Sequence, residues 1–196
     1  MERRKIIAIA GDARIAENSD KYKIAFEVGK ALVDNGYRIQ TGGLGGVMSA
    51  ACQGAKSSEK YKEGDIIALV PSFDINEVNE FADIVIPTGL DVMRNALVAN
   101  ASAVVAIGGG AGTLSEMAFA WTFGRLIIGI SNVDGWSSKL AGLKIDSRVR
   151  YPEIENDMVY PATSGKQVAE ILNNNIDKYY RRHKGIVFED GIRKNW

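Results

Sequence analysis

Six short runs of apolar, mostly β-branched residues recur along the chain, and they constrain the fold more than any other feature. The runs cover 6–10, 38–41, 66–70, 84–86, 103–107 and 126–130. Most of them lack the alternation of apolar and polar residues that marks a strand with one solvated face, so they indicate strands buried on both faces of a parallel sheet. Because helical patterns lie between several of the runs, the sequence predicts an α/β fold. We expect a single-domain, Rossmann-like, doubly wound and mainly parallel sheet with helices on both faces.

Five helices are predicted from apolar periodicity and capping residues. The segments are 22–35, 47–56, 91–101, 113–123 and a last helix from Thr163 or Ser164 to about Tyr180. Asp91 is the expected N-cap of the third helix, since its side chain can accept from the first backbone N–H groups. Segments 75–83 and 148–157 are expected to be long loops. No internal boundary is visible, so we predict a nucleotide-binding domain over 1–184 and a C-terminal tail over 185–196.

Composition and charge exclude several classes of function. The chain carries 24 basic and 24 acidic residues, so no global field attracts a nucleic acid or an anionic membrane. Cys52 is the only cysteine and His183 the only histidine, which excludes an intrachain disulfide, a Cys/His zinc site and a histidine-based triad. The apolar stretch after the N-terminal charges is too short for a signal peptide or a spanning helix. We therefore expect a soluble, cytoplasmic protein with no metal site, no nucleic-acid partner and no membrane partner.

A glycine-rich segment follows the fifth apolar run and precedes a predicted helix. It reads Gly-Gly-Gly-Ala-Gly-Thr-Leu-Ser-Glu over residues 108–116. Such a turn lets backbone N–H groups converge, and the helix dipole adds partial positive charge. We therefore predict that Gly109, Gly110, Gly112 and Thr113 bind a phosphate. The alternative is a simple strand-to-helix connection, in which glycine supplies a tight turn.

A second glycine-rich turn follows the second apolar run, at the same edge of the predicted sheet. Its candidate ligand-binding residues are Gly42, Gly43, Gly45 and Gly46. Two such turns could face each other across a nucleotide. The alternative is a tight turn that permits close packing of a helix against a strand.

Arg94 and Glu116 are the candidate catalytic residues. Arg94 lies in the first turn of a predicted helix, where a cation opposes the helix dipole at a cost of roughly 0.3–1 kcal/mol. A bidentate contact with a phosphate or carboxylate would recover that cost, although an exposed surface arginine is equally compatible with the sequence. Thr113 and Glu116 fit a capping box, in which the glutamate only binds backbone at the helix start. The alternative for Glu116 is contact with a sugar hydroxyl or a water molecule.

These motifs together resemble the family long labelled "lysine decarboxylase-like", which includes the cytokinin-activating LOG phosphoribohydrolases and the molybdenum cofactor carrier proteins. The family segment P-G-G-x-G-T-x-x-E is matched over 109–116, with Gly108 where the proline usually stands. The family G-G-x-x-G-x-M segment is matched over 42–48, and N-V-D-G-aromatic over 132–136. Arg94 stands in the place of the family arginine, followed by Asn95 instead of lysine. The match covers roughly residues 6–140.

The resemblance implies that the 109–113 turn binds phosphate and that Arg94 anchors a nucleoside 5′-monophosphate. Glu116 would orient the ribose or the attacking water while the N-glycosidic bond is hydrolysed to free base and ribose 5-phosphate. The alternative is a non-enzymatic carrier or sensor of a phosphorylated nucleotide or pterin. Gly108, Asn95 and the unusual residues 11–13 fit that alternative at least as well.

The resemblance and the apolar helices around Leu97 and Phe119 lead us to expect a homo-oligomer, a dimer or a tetramer. Pyridoxal phosphate chemistry has no support in the sequence, so we expect neither a cofactor nor lysine decarboxylation.

Overall fold

A seven-stranded, entirely parallel sheet forms the centre of the computed structural model, which describes residues 3–179 and two short strands beyond them. The strands are β1 Ile6–Gly11, β2 Arg38–Thr41, β3 Ile66–Val70, β4 Ile84–Pro87, β5 Ala103–Ile107, β6 Leu126–Ile130 and β7 Val159–Ala162. Their order in the sheet is β4-β3-β2-β1-β5-β6-β7. The predicted Rossmann-like α/β fold is therefore confirmed, including the parallel pairing.

Helices cover both faces of this sheet. They are α1 Asp20–Asp34, α2 Val47–Lys56, α3 Asn95–Ala99, α4 Ala111–Thr122, α5 Trp136–Leu140 and α6 Gly165–Asn175, with 3₁₀ turns at Asp91–Arg94 and Ile176–Lys178. One apolar cluster includes residues of α1, α2 and α6, and the other includes residues of α3 and α4. Successive residues of one strand belong to different clusters: Ile7 to the first and Ala8 to the second. Burial on both faces explains why the strands read as continuous apolar runs.

Strand β1 lies where the order of the sheet reverses. It pairs with β2 on one side and with β5 on the other, and Gly11 stands opposite Ile107 at the end of the latter ladder. The chain leaves β1 and β5 toward helices on opposite faces, so their carboxyl ends open a crevice. This reversal is the position at which doubly wound sheets bind ligands.

Glycine allows the first two helices to pack closely on one face. A Cβ atom built on Gly29 of α1 would lie 1.9 Å from the carbonyl oxygen of Ala51 in α2. The reciprocal contact is equally close, since a Cβ atom on Gly54 would lie 1.9 Å from the carbonyl oxygen of Phe26. This packing holds α2, and the glycine turn that precedes it, against the end of β1.

Two predicted helix caps are wrong. The predicted helix 91–101 is a 3₁₀ turn followed by the short α3, and Asp91 is not an N-cap but has a positive φ of 48°. Helix α4 begins at Ala111 with Gly110 as its N-cap, so Thr113 is already inside the first turn. The capping box proposed for Thr113 and Glu116 therefore does not form.

Other differences between the predicted and the observed elements lie in the C-terminal part of the chain. Strand β7 and helix α5 were not predicted. The last helix is capped by Ser164, whose side chain accepts from the backbone N–H of Gln167 at 3.3 Å. Its predicted end at Tyr180 and the predicted domain boundary at 184 lie outside the described residues. In the predicted tail, β8 Ile186–Val187 and β9 Arg193–Lys194 form an antiparallel pair.

No helix within the described part of the chain is long and apolar enough to cross a membrane.

Candidate functional site

A cavity of about 300 Å³ opens at the reversal point of the sheet. Segments that follow all of the first five strands, β1 to β5, line it, together with the first two turns of α4. Its polar and charged lining residues are Asp12, Asp91, Arg94, Asn95, Thr113 and Glu116. The volume lies at the lower end of the roughly 300–1,000 Å³ that small-molecule pockets occupy.

Arg94 connects three elements around this cavity, and it is only 6% exposed. Its Nη2 donates to the carbonyl oxygen of Gly42 at 3.2 Å, and its Nη1 lies 3.4 Å from Oε1 of Glu116. Nη1 also donates to the side-chain oxygen of Asn95. Arg94 Nε is buried and has no hydrogen-bond partner among the described residues. The side chain is therefore not the exposed surface arginine that the sequence left open.

Glu116 reaches into the cavity from α4 and is 6% exposed. Burial raises its pKa to about 7, although the Arg94 guanidinium acts in the opposite direction. Burial also lowers the pKa of Arg94, against the attraction of Glu116 and Asp91. Glu116 therefore titrates near neutrality and can gain or lose a proton within the physiological range.

Asn95 ties Arg94 to the first turn of α4. It accepts from the guanidinium, and its Nδ2 donates to the Ser115 hydroxyl at 2.8 Å. A lysine in this place would supply a charge but could not accept from Arg94. Asn95 therefore fixes the position of the Arg94 guanidinium and adds no second cation beside it.

The second glycine turn contributes to the site through packing. A Cβ atom on Gly42 would lie 2.4 Å from Nη2 of Arg94, and one on Gly46 would lie 2.3 Å from the carbonyl oxygen of Asp12. Gly43 and Gly46 have φ values of 78° and 62°. Neither these three glycines nor Gly45 lines the cavity, whereas Leu44 between them does. Their direct contact with a ligand stays a prediction.

Two backbone N–H groups of the glycine turn after β5 already donate to protein side chains. Gly108 N–H donates to the Ser137 hydroxyl at 2.8 Å, and Gly109 N–H donates to Oδ2 of Asp12 at 2.9 Å. The first N–H groups of α4 that follow have no partner within the helix. Of the four predicted phosphate ligands, Gly110, Gly112 and Thr113 line the cavity, and Gly109 lies directly beside it.

Asp12 and Lys21 were not among the predicted site residues. Lys21 Nζ lies 2.8 Å from Oδ2 of Asp12 and 3.0 Å from Oδ1 of the exposed Asp134. Burial lowers the pKa of Lys21, but its hydrogen bonds to these two carboxylates outweigh that effect and the pKa is raised. The signal available in the sequence was the unusual Gly-Asp-Ala segment directly after β1.

The described residues contain no group of three or more His, Cys, Asp or Glu side chains that could hold a metal ion.

Comparison with known proteins identifies the family. The pattern that defines the SLOG cluster4 family matches residues 4–158. This chain belongs to the SLOG cluster4 family. It is 39% identical over 111 residues to an uncharacterized protein of Archaeoglobus fulgidus, a match that covers 56% of this chain and 70% of that protein.

Solved structures of similar proteins include molybdenum cofactor proteins. One is the molybdenum cofactor binding protein of the phototrophic bacterium Rippkaea orientalis, at 31% identity and a TM-score of 0.71, covering 90% of this chain and 99% of that one. Another is the molybdenum cofactor carrier protein of Chlamydomonas reinhardtii, at 26% identity and a TM-score of 0.64, covering 89% and 99%. The resemblance found in the sequence is thus confirmed at the level of the wider family. Membership of the LOG branch within it stays a prediction.

The raised pKa of Glu116 gives a prediction for stability. Its folded-state pKa of about 7 lies above the ordinary value of 4.5, so the folded protein binds this proton more tightly than the unfolded chain. The stabilisation is fully present below about pH 4.5 and is lost as the pH rises toward 7. Relative to Glu116→Gln, which stays neutral, wild type should lose on the order of 2–3 kcal/mol of unfolding free energy between about pH 5 and 8.

Chemical denaturation of both proteins across this pH range measures the difference. Glu27→Gln, at an exposed position on α1, is the control and should track wild type. A wild-type advantage that grows with pH would show instead that Arg94 holds the Glu116 pKa below its ordinary value.

Proposed function

We propose that this protein binds a phosphorylated small molecule of nucleotide or pterin type in the cavity at the reversal point of the sheet. We further propose that it hydrolyses the N-glycosidic bond of a nucleoside 5′-monophosphate. The observation that carries the proposal is the buried pair of Arg94 and Glu116, 3.4 Å apart, on the wall of that cavity.

The phosphate is assigned to the start of α4. The free N–H groups of the first helical turn and the helix dipole together favour an anion there. Arg94 lines the same cavity, and its guanidinium adds a fixed positive charge that favours a phosphate there. Leu44, Met48, Pro71 and Val92 provide apolar surface for the base.

Glu116 supplies the chemistry in this proposal. As a carboxylate it accepts a proton from a water molecule that attacks the anomeric carbon, and its charge stabilises the oxocarbenium-like transition state. The glycosidic bond breaks with its electron pair going to the base, which takes up a proton. Water is the only co-reactant, and the products are free base and ribose 5-phosphate. Since the pKa of Glu116 is raised to about 7, base release should increase as the pH rises through neutrality.

The second candidate is a carrier that holds a phosphorylated pterin without turnover. Its support is the 31% identity, over 90% of this chain, to a molybdenum cofactor binding protein. Asn95 is consistent with this candidate, because its bond to Arg94 fixes a guanidinium that can bind a ligand without taking part in a reaction. Retention of a phosphorylated compound through purification fits both candidates, whereas release of free base fits only the first.

The decisive variant is Glu116→Gln, assayed for free base released from AMP and GMP. It keeps the shape of the side chain but removes the negative charge, so base release should fall by about two or more orders of magnitude, the scale of losing one preorganised electrostatic group. Glu27→Gln should leave the rate unchanged. Equal rates in wild type and Glu116→Gln would remove Glu116 from catalysis. Binding without release in either protein would favour the carrier.

We also propose that the protein acts as a homo-oligomer, a dimer or a dimer of dimers. Large apolar side chains remain exposed beside the cavity: Val92 is 68% exposed, Met93 66% and Leu97 45%. On the same side of the sheet, the edge strand β4 exposes Ile84 and Ile86. Apolar surface of this kind, contiguous with a binding site, is typical of an interface.

Light scattering should therefore give a mass of at least two chains at micromolar concentration. The double variant Met93→Ser and Leu97→Ser should shift the protein toward monomer. Val149→Ser removes a side chain that is equally exposed, at 70%, but lies in the loop before β7, so it should not change the mass. A monomeric wild type would refute the proposal.

A further inference from the structure

The glycine turn after β5 already binds an anion, which is the carboxylate of Asp12. Oδ2 of Asp12 accepts from the N–H of Gly109 at 2.9 Å and from Lys21 at 2.8 Å. Asp12 comes from the end of β1, 97 residues earlier in the chain, and it lines the cavity. The contact is therefore a built feature of the site and not a local turn.

Gly108 is shaped to admit this carboxylate. It has a φ of 64°, and a Cβ atom there would lie 2.5 Å from Oδ2 of Asp12 and 2.8 Å from Cε of Lys21. Its own N–H donates to Ser137. A proline could adopt neither this φ nor this hydrogen bond. The ion pair of Asp12 with Lys21 therefore requires glycine at position 108.

Because Asp12 already accepts from the N–H of Gly109, we expect the turn to bind one ligand phosphate and not two. In Rossmann folds a glycine turn and the helix after it together hold the two phosphates of a pyrophosphate group. Here the N–H of Gly109 already donates to Asp12, so the backbone N–H groups left for a ligand are those at the start of α4. A second phosphate would have to displace Asp12 Oδ2 from the N–H of Gly109. It would also meet a carboxylate whose charge Lys21 offsets only in part, since Lys21 is shared with Asp134.

We propose that Asp12 is a specificity-determining residue that admits ligands with a single phosphate group and rejects those with a diphosphate. The proposal rests on the proposed binding of a phosphorylated ligand in the same cavity. It does not depend on turnover or on the identity of the base. Lys21 holds the carboxylate on the turn and thereby acts as a positioning residue.

The test compares AMP with ADP, and inorganic phosphate with pyrophosphate, by calorimetric titration at pH 8 without divalent cations. Wild type should bind AMP at least about tenfold more tightly than ADP, which corresponds to 1.4 kcal/mol or more. Asp12→Asn keeps an acceptor for Gly109 N–H but removes the charge, and it should reduce that preference to about threefold or less. Phosphate and pyrophosphate should follow the same trend.

The matched control is Asp134→Asn, which removes the other carboxylate on Lys21. Asp134 is 93% exposed and does not line the cavity, so the preference should stay as in wild type. Thermal unfolding verifies that each variant is folded, and Asp12→Ser provides a second neutral variant should asparagine perturb the turn.

Three results would overturn the inference: equal affinity of wild type for AMP and ADP, an unchanged preference in both Asp12 variants, or an equal loss of preference in Asp134→Asn. The proposed hydrolysis fails separately, when AMP binds with the expected preference but no base is released. Failure of wild type to bind either AMP or phosphate would refute the ligand proposal and this inference together.

Discussion

The contact between the Arg94 guanidinium and the carbonyl oxygen of Gly42 holds the candidate site together. It joins the segment before α3 to the turn after β2, while the other end of the guanidinium reaches Glu116 on α4. These three segments leave different strands of the sheet and meet only because the strand order reverses at β1. Glycine at 42 is a condition of the contact, since a side chain there would overlap Nη2.

A buried ion pair of this kind carries a cost in stability. Moving two charges out of water costs free energy, and their attraction offsets this cost only when the remaining donors and acceptors are hydrogen-bonded. Arg94 Nε has no such partner within the described residues. Asp91, the first residue of the 3₁₀ turn that ends at Arg94, adds the strain of a positive φ. A strained residue, an unsatisfied donor and a shifted pKa around one cavity are typical of a functional site and not of an optimised core.

Most of the fold could be predicted because buried parallel strands have a distinct apolar pattern. The exceptions have physical causes. Strand β7 lies at the edge of the sheet and contains Pro161, which interrupts an apolar run. Helix α4 is capped by Gly110, which has no side chain to mark the start, whereas Thr113 and Glu116 by chance have capping-box spacing.

The site was predictable only in part. Arg94 and Glu116 emerged from the motifs, and their approach across 22 residues follows from the parallel topology. Asp12 was missed because its bond to Gly109 depends on β1 lying directly beside β5, and one sequence does not reveal strand order. The burial that shifts the pKa of Glu116 is likewise a property of the packed structure alone.

A crystal structure of the protein soaked with AMP would show whether the start of α4 and Arg94 together bind the phosphate of a small ligand. We expect the phosphate on the backbone N–H groups of residues 110–113, within hydrogen-bond distance of the Arg94 guanidinium, and the ribose facing Glu116. A nucleotide bound consistently elsewhere, with the start of α4 and Arg94 unchanged, would contradict it.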